Sequence, residues 1–235
     1  MNRRTFLAVT LCAPLLSGCG RVPSYRYLLS IEVETPEGLR TGSTIVEVRA
    51  HTQSPPFPVV VRGIEGEAAV VDLGRRGQFY ALLRSPQSPD WAKNLFAKLR
   101  PDYLHHGSTP NARETTKVNA ISADRQTYVL QPAPADPVEA EKSKASQYPL
   151  LVRFRDAKRF ETLETVDPAN LAATFGEGVR LKRITVRVTD EAPQSLVAKY
   201  LPWVAEQHDP ISEPRVRINT GLRTEKITSQ DFIRR

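Results

Sequence analysis

Tyr25-Arg26-Tyr27-Leu28-Leu29-Ser30-Ile31-Glu32-Val33-Glu34-Thr35 alternates with period two. Tyr25, Tyr27, Leu29, Ile31 and Val33 share one face, and Arg26, Ser30, Glu32 and Glu34 share the other. Successive strand side chains point to opposite sides, so this pattern predicts a strand with one covered and one wet face. Thr35-Pro36-Glu37-Gly38 follows as a turn signal. A second alternation places Thr44, Val46 and Val48 opposite Glu47 and Arg49. The two strands are expected to pair as a hairpin whose loop is too long for a two-residue turn.

Working outward, Ser54-Pro55-Pro56-Phe57-Pro58 is stiff and interrupts pairing. Residues 59–61, 68–73 and 78–83 read as three more strands, with Gly63–Gly66 and Gly74–Gly77 as turn material. Residues 25–130 thus read as a β-rich, antiparallel meander. Ser88-Pro89 carries the cap and first-turn residues of a helix. Its stripe is Trp91, Ala92, Leu95, Phe96 and Leu99, and Pro101 closes it. This stripe is expected to pack on the sheet. Residues 105–124 are polar and aperiodic and read as a loop, and 126–130 as a strand. Residues 131–147 are a linker or exposed helix, with Asp136 placed to cap one.

Residues 148–235 form an α+β part, either separate or continuous with 25–130 as one domain. Leu150–Phe154 is a strand, and Asp167-Pro168 starts a helix through Leu171, Ala172 and Phe175 to Gly176. In 179–188 the apolar residues switch parity. Val179 and Leu181 are odd; Ile184, Val186 and Val188 are even. The switch at Lys182-Arg183 predicts a β-bulge or bend. Residues 194–201 read as a short helix stopped by Pro202, and the tail after Glu213 alternates at Val216 and Ile218 before turning charged and mobile. The fold class is α+β, with one or two antiparallel-rich sheets and two or three short packed helices.

Upstream of the first strand, Arg3 and Arg4 precede an apolar run over Phe6–Leu16. A helix needs about twenty apolar residues to span a bilayer, so this run has instead the length of a signal-peptide core. It ends in Leu16-Ser17-Gly18-Cys19, which resembles the lipobox of bacterial lipoproteins. The resemblance implies that residues 1–18 are a signal peptide, removed after the Cys19 thiol receives its lipid. Cys19 then carries acyl chains (diacylglyceryl and palmitate), and 19–24 is a lipidated tether. Gly20 stands where an aspartate would suggest inner-membrane retention in Gram-negative lipoproteins. The resemblance therefore implies the outer membrane, periplasm-facing, with the inner membrane as the alternative. Asn2-Arg3-Arg4-Thr5-Phe6-Leu7 also resembles a twin-arginine export signal, and an ordinary secretory leader fits as well. Farther on, four runs resemble a family of bacterial proteins with no assigned function. They are Thr35–Ser43, Tyr148–Val152 with Val166–Ala173, and Gly178–Thr185. No activity comes with that resemblance.

Of the 235 residues, 217 follow Gly18, and losing Arg3 and Arg4 lowers the net charge from +7 to +5. The cysteines are Cys12 and Cys19, so the processed chain is expected to hold no disulfide. No cofactor-binding motif is present, and no G-x-S-x-G elbow. His105-His106 falls short of the three or four ligands of a zinc site, and His51 and His208 are isolated, so no metal is expected. Glu32/Glu34 and Glu139/Glu141 read as solvated faces. Lys182, Arg183 and Arg187, with Arg215 and Arg217, form basic rows that suit phosphate or uronate groups, or else an outward face balanced by acids. The expected partners are the membrane, through the anchor, and an envelope protein or acidic glycan. Nucleic acid is not expected outside the cytoplasm. Two functions remain: a non-catalytic binding or structural module, or an envelope-polymer-modifying enzyme with a dispersed site.

Overall fold

The computed structural model describes residues 23–53, 59–104, 110–132, 147–206 and 227–234. Its central element is β1 (Tyr25–Thr35), whose odd residues from Tyr25 to Thr35 are buried and whose even ones are half-exposed. A one-residue slip would put five apolar side chains into water, each worth about 1.5–3 kcal/mol of burial, so the register is fixed. β2 (Gly38–Gln53) pairs antiparallel with β1 from Thr35↔Gly38 to Tyr25↔Val48. The connection is Pro36-Glu37 alone. This corrects the expected longer loop: β2 begins at Gly38, before its apolar alternation does, because the polar Arg40-Thr41 stretch is also strand.

β3 (Val59–Glu67) continues the meander, and Gly63–Gly66 lies within it rather than in a turn. β4 (Ala69–Asp72) and β5 (Gln78–Ala81) leave it and start a second sheet, joined by a 3-10 turn at Gly74–Arg76. The remaining strands are β6 (Thr127–Val129), β7 (Leu151–Phe154), β8 (Leu163–Thr165), β9 (Arg180–Val188) and β10 (Ile233–Arg234). The larger sheet has the order β10-β3-β2-β1-β9-β6 and the smaller β4-β5-β7-β8, all pairs antiparallel. Both sheets take strands from each side of residues 131–147. With four α-helices among the described residues, the fold is α+β, rich in antiparallel sheet.

The sheets meet through β4 on β2. An added Cβ at Gly42 would lie 2.1 Å from the Val70 carbonyl oxygen, so only glycine lets the layers approach there. Beyond this crossing the inward face of β1 is covered by α1 (Trp91–Leu99) and α2 (Pro110–Ala123). α1 buries Trp91, Ala92, Leu95 and Phe96 as its stripe requires. It starts at Trp91, later than Ser88-Pro89 suggested, because Ser88 is held in a turn with Ser85. α2 corrects the loop expected over 105–124. Its buried face is Glu114, Lys117, Val118 and Ile121, so half of that helical stripe is charged and the apolar period is hidden.

The smaller sheet is buried on both faces. Phe79, Ala81 and Leu151 face the main core, while Tyr80, Val152 and Phe154 face a second cluster. That cluster is closed by α4 (Val197–Tyr200), a 3-10 turn at Pro202–Ala205, and Ile227 and Phe232. The end of the chain is thus core material, not the charged tail expected. α3 (Ala172–Phe175) is shorter than 167–176 predicted, since Asp167 turns back to accept the Ala169 amide; Gly176, at φ 95°, ends it. Ser54–Pro58, the Asp136 cap, and the alternation at Val216 and Ile218 lie outside the described residues.

Candidate functional site

The parity switch in β9 is a bulge. Glu32 faces Arg183 and Val33 faces Leu181, leaving Lys182 as the extra residue. Both cations turn to one acid. Arg183 pairs with Glu32 at 2.6 Å and Lys182 at 3.6 Å. Arg187 meets Glu191 at 3.4 Å. The wet face continues as Arg26–Glu47 at 2.8 Å, Arg49–Glu47 at 2.9 Å and Arg49–Glu65 at 2.6 Å. The three β9 cations considered as anion contacts are therefore each opposite a carboxylate. Arg183 above all holds Glu32 below the usual carboxylate range. Arg49, then Arg26, hold the buried Glu47 down to about 2. Arg215, Arg217 and Cys19 lie outside the described residues, as do His105, His106 and His208.

Inside the protein the polar groups serve the fold. Arg62 grips Glu114 through two hydrogen bonds of 2.5 and 2.6 Å, tying β3 to α2. Burial pushes the Glu114 carboxyl up, but the Arg62 bonds outweigh it and the net shift is downward. Lys117 is only 5% exposed, and burial lowers its pKa. Glu67, also buried, accepts from the Ser195 hydroxyl at 2.6 Å and from the Leu196 and Val197 amides at 2.7 and 2.8 Å. The Ser195 hydroxyl takes Glu67 Oε1, while Oε2 accepts both amides and so caps the start of α4. Among the described residues no three metal-ligating side chains gather.

A polar cleft of about 330 Å³ opens at the end of the molecule where β1 begins. Tyr25 and Arg26 come from the start of β1 with Ser24 just before it, Ser122 from α2, and Thr189 and Asp190 from just past the end of β9. The β1–β9 pairing makes this meeting, since the Thr189 amide donates to the Arg26 carbonyl at 3.0 Å. Arg26 donates through Nη1 to the Asp190 carbonyl at 3.4 Å. Arg125, beside the cleft, donates to the Ser122 carbonyl at 2.7 Å and stands 3.9 Å from the Asp190 carboxylate. Smaller crevices flank the strap at Pro193–Leu196, one of them about 250 Å³ against Gly66 and Ile233. The sequence reading selected none of the cleft residues. They are scattered from 24 to 190, and no local spacing links them.

No protein-family model, curated protein or solved structure matches the chain.

Proposed function

We propose that this chain is a lipid-anchored cell-envelope protein, held at the outer membrane and facing the periplasm, whose body is a non-catalytic binding or structural module. What carries the reading is the placement of Leu16-Ser17-Gly18-Cys19 just before the central strand. From Cys19 to Tyr25 is six residues, and an extended chain covers at most about 3.3–3.6 Å per residue. An acylated Cys19 would keep the start of β1 within about 20 Å of the lipid leaflet. A second acyl chain already gives stable anchoring, because each buried methylene contributes about 0.8 kcal/mol. A non-catalytic body agrees with polar groups that are mutually paired: the wet-face cations sit opposite acids, and the buried acids serve Arg62 and α4.

Mass spectrometry of the native product tests the anchor. The expected N-terminal peptide begins at Cys19 and carries acyl mass. A bare Cys19, or residues 1–18 still attached, refutes the reading. Turnover of cell-wall or lipid substrates by the purified protein would refute the non-catalytic part alone.

A further inference from the structure

We infer that the outer end of the β2–β3 hairpin makes a second, uncharged contact with the leaflet that holds the anchor, a surface that rests on the anchor reading above. β1 starts at Tyr25, which pairs with Val48. β2 does not stop there. It runs on to Gln53, paired with β3 from Arg49↔Gly63 to Gln53↔Val59. Five residues past Val48, at about 3.3 Å each, carry the hairpin about 17 Å beyond the start of β1. β9, on the other side of β1, ends at Val188 opposite Tyr27 and does not follow. The overshoot passes the end of β1 to which the anchor is tied. The six residues from Cys19 to Tyr25 reach at most about 20 Å, so the hairpin spans most of that gap. Its end meets the leaflet before β1 or β9 can. It is also held in place: Arg62 binds Glu114 of α2 at 2.6 Å and Asn94 of α1 at 3.4 Å, and Val60 packs on the main core.

The composition of the hairpin fits a lipid surface. Residues 50–61 hold no Lys, Arg, Asp or Glu, the longest such run after Arg21. Charged residues make up 25% of the chain, so twelve residues would ordinarily hold three. The contact is assigned to the two strand ends, residues 50–53 and 59–61. Their backbone groups bond across the hairpin, so the paired edge enters a poorly hydrated boundary without orphaned amides, and Val59 to Val61 add apolar surface. Charge returns only at Arg49 and Arg62, and both are spent. Arg49 meets Glu47 at 2.9 Å and Glu65 at 2.6 Å, and Arg62 is taken by Glu114. The contact is therefore made by apolar burial, and not by attraction to anionic lipid.

The opposite end of the sheet has the other character. Around the β1–β2 tip stand Glu34, Glu37, Arg40 and Arg180, with Glu37 paired to Arg76 and Arg180 to Glu34. A charged, solvated tip and an uncharged anchor-side hairpin orient the body on the leaflet.

The test is fluorescence quenching on the full acylated chain in phosphatidylcholine vesicles. Cys12 leaves with residues 1–18 and the Cys19 thiol is blocked by its lipid, so one added cysteine is the single reactive thiol. Gln53→Cys carries a fluorophore at the end of the hairpin, and Leu39→Cys carries it at the far end of the sheet, where Leu39 is 52% exposed. The quenchers are acrylamide in the water and brominated phosphatidylcholine in the leaflet. Expected at position 53 is several-fold weaker quenching by acrylamide than at 39, together with quenching by brominated lipid that 39 lacks. Raising salt from about 0.1 to 1 M, which shortens the screening length from about 10 to 3 Å, should change neither. Equal quenching at the two positions would overturn the contact. So would a position 53 shielded from acrylamide but untouched by brominated lipid, which would mean a protein neighbour, or a lipid signal lost in high salt. Mass spectrometry of the same sample separates the two readings. Acylated Cys19 with position 53 open to water overturns the hairpin contact alone, and a bare Cys19 overturns the anchor and the contact with it.

Discussion

Gly42 shows how one residue sets the distance between two layers. It pairs with Ile31 in the middle of the larger sheet, and its missing side chain is where the Val70 carbonyl sits. A methyl group would lie 2.1 Å from a backbone atom that belongs to another strand, so neither rotamer change nor side-chain shift relieves it. Overpacking of this kind costs about 1–3 kcal/mol, and a clash with backbone belongs at or above the top of that range. Gly42→Ala should lower stability by about 3 kcal/mol in urea unfolding, while Gly63→Ala, with nothing within 4 Å of its added Cβ, should be neutral or slightly stabilising. Equal effects at the two sites would mean that the sheets do not cross at Gly42. Lys117 is the converse case, a residue that weakens the fold. Its amine is buried near Arg62, which repels it, and Glu114 is already bound twice by that arginine. The attraction to Glu114 offsets only part of the burial penalty, and a buried charge left so poorly compensated costs about 1–3 kcal/mol. Lys117→Met keeps the volume and removes the charge, and should raise the melting temperature by several degrees.

At the level of elements, what the sequence shows depends on how a segment divides its faces. β1 was legible because one face is core and the other is water, and the β9 bulge was legible because the parity of its apolar residues changes once. α2 was not, since two of its four buried positions are Glu114 and Lys117, and a stripe of mixed chemistry has no apolar period. The smaller sheet hid itself differently. A strand covered on both faces loses its alternation, so β5 and β7 announced strands without saying which layer they join. The last residues misled most. Asp231, Arg234 and Arg235 are charged, yet Phe232 among them is fully buried against Tyr80 and Phe154, with ring centres 5.9 and 5.8 Å apart. Its carbonyl accepts from Ala68 at 2.7 Å, and Asp231 stands 3.5 Å from the buried Arg84. Ile227–Arg234 is thus a strap across the second cluster. Phe232→Ala should cost about 3–5 kcal/mol, which is a large share of the 5–15 kcal/mol typical of a domain. Gln230→Ala, on the exposed side of the same strap, should change little. If urea curves put the two variants together, the strap does not hold the core closed.

Taken as a whole, the molecule couples its stability to pH from both sides, and the two limbs have different owners. On the acid side the owners are the carboxylates of the charge ladder and the hairpin tip. Glu47 is held at about 2 by Arg49 and Arg26, and Glu37 at about 2 by Arg76. Glu32 and Asp102 are lowered by Arg183 and Arg100. A depressed carboxylate stabilises the fold fully above its unfolded value and loses that contribution as pH falls toward its folded one. Stability should therefore fall between about pH 4.5 and 2, with each exposed member adding little because water and salt screen it. Glu47 is the exception, being buried between two arginines, and Glu47→Gln should flatten the acid limb more than Glu37→Gln does. On the alkaline side Tyr25 and Tyr27 are pushed up by burial, so they stay neutral in the fold while the unfolded chain ionises near pH 10. Stability then falls above about pH 10. Lys117 works against this limb, since its lowered pKa makes the fold gain stability as pH climbs toward 10.5. Removing it should leave the tyrosines unopposed, so Lys117→Met, more stable at neutral pH, should lose stability more steeply above pH 10 than the parent. Denaturation midpoints taken from pH 2 to 11 check both limbs together. A parent and a Lys117→Met protein with parallel alkaline limbs would show that the buried amine is not a partner in the alkaline balance.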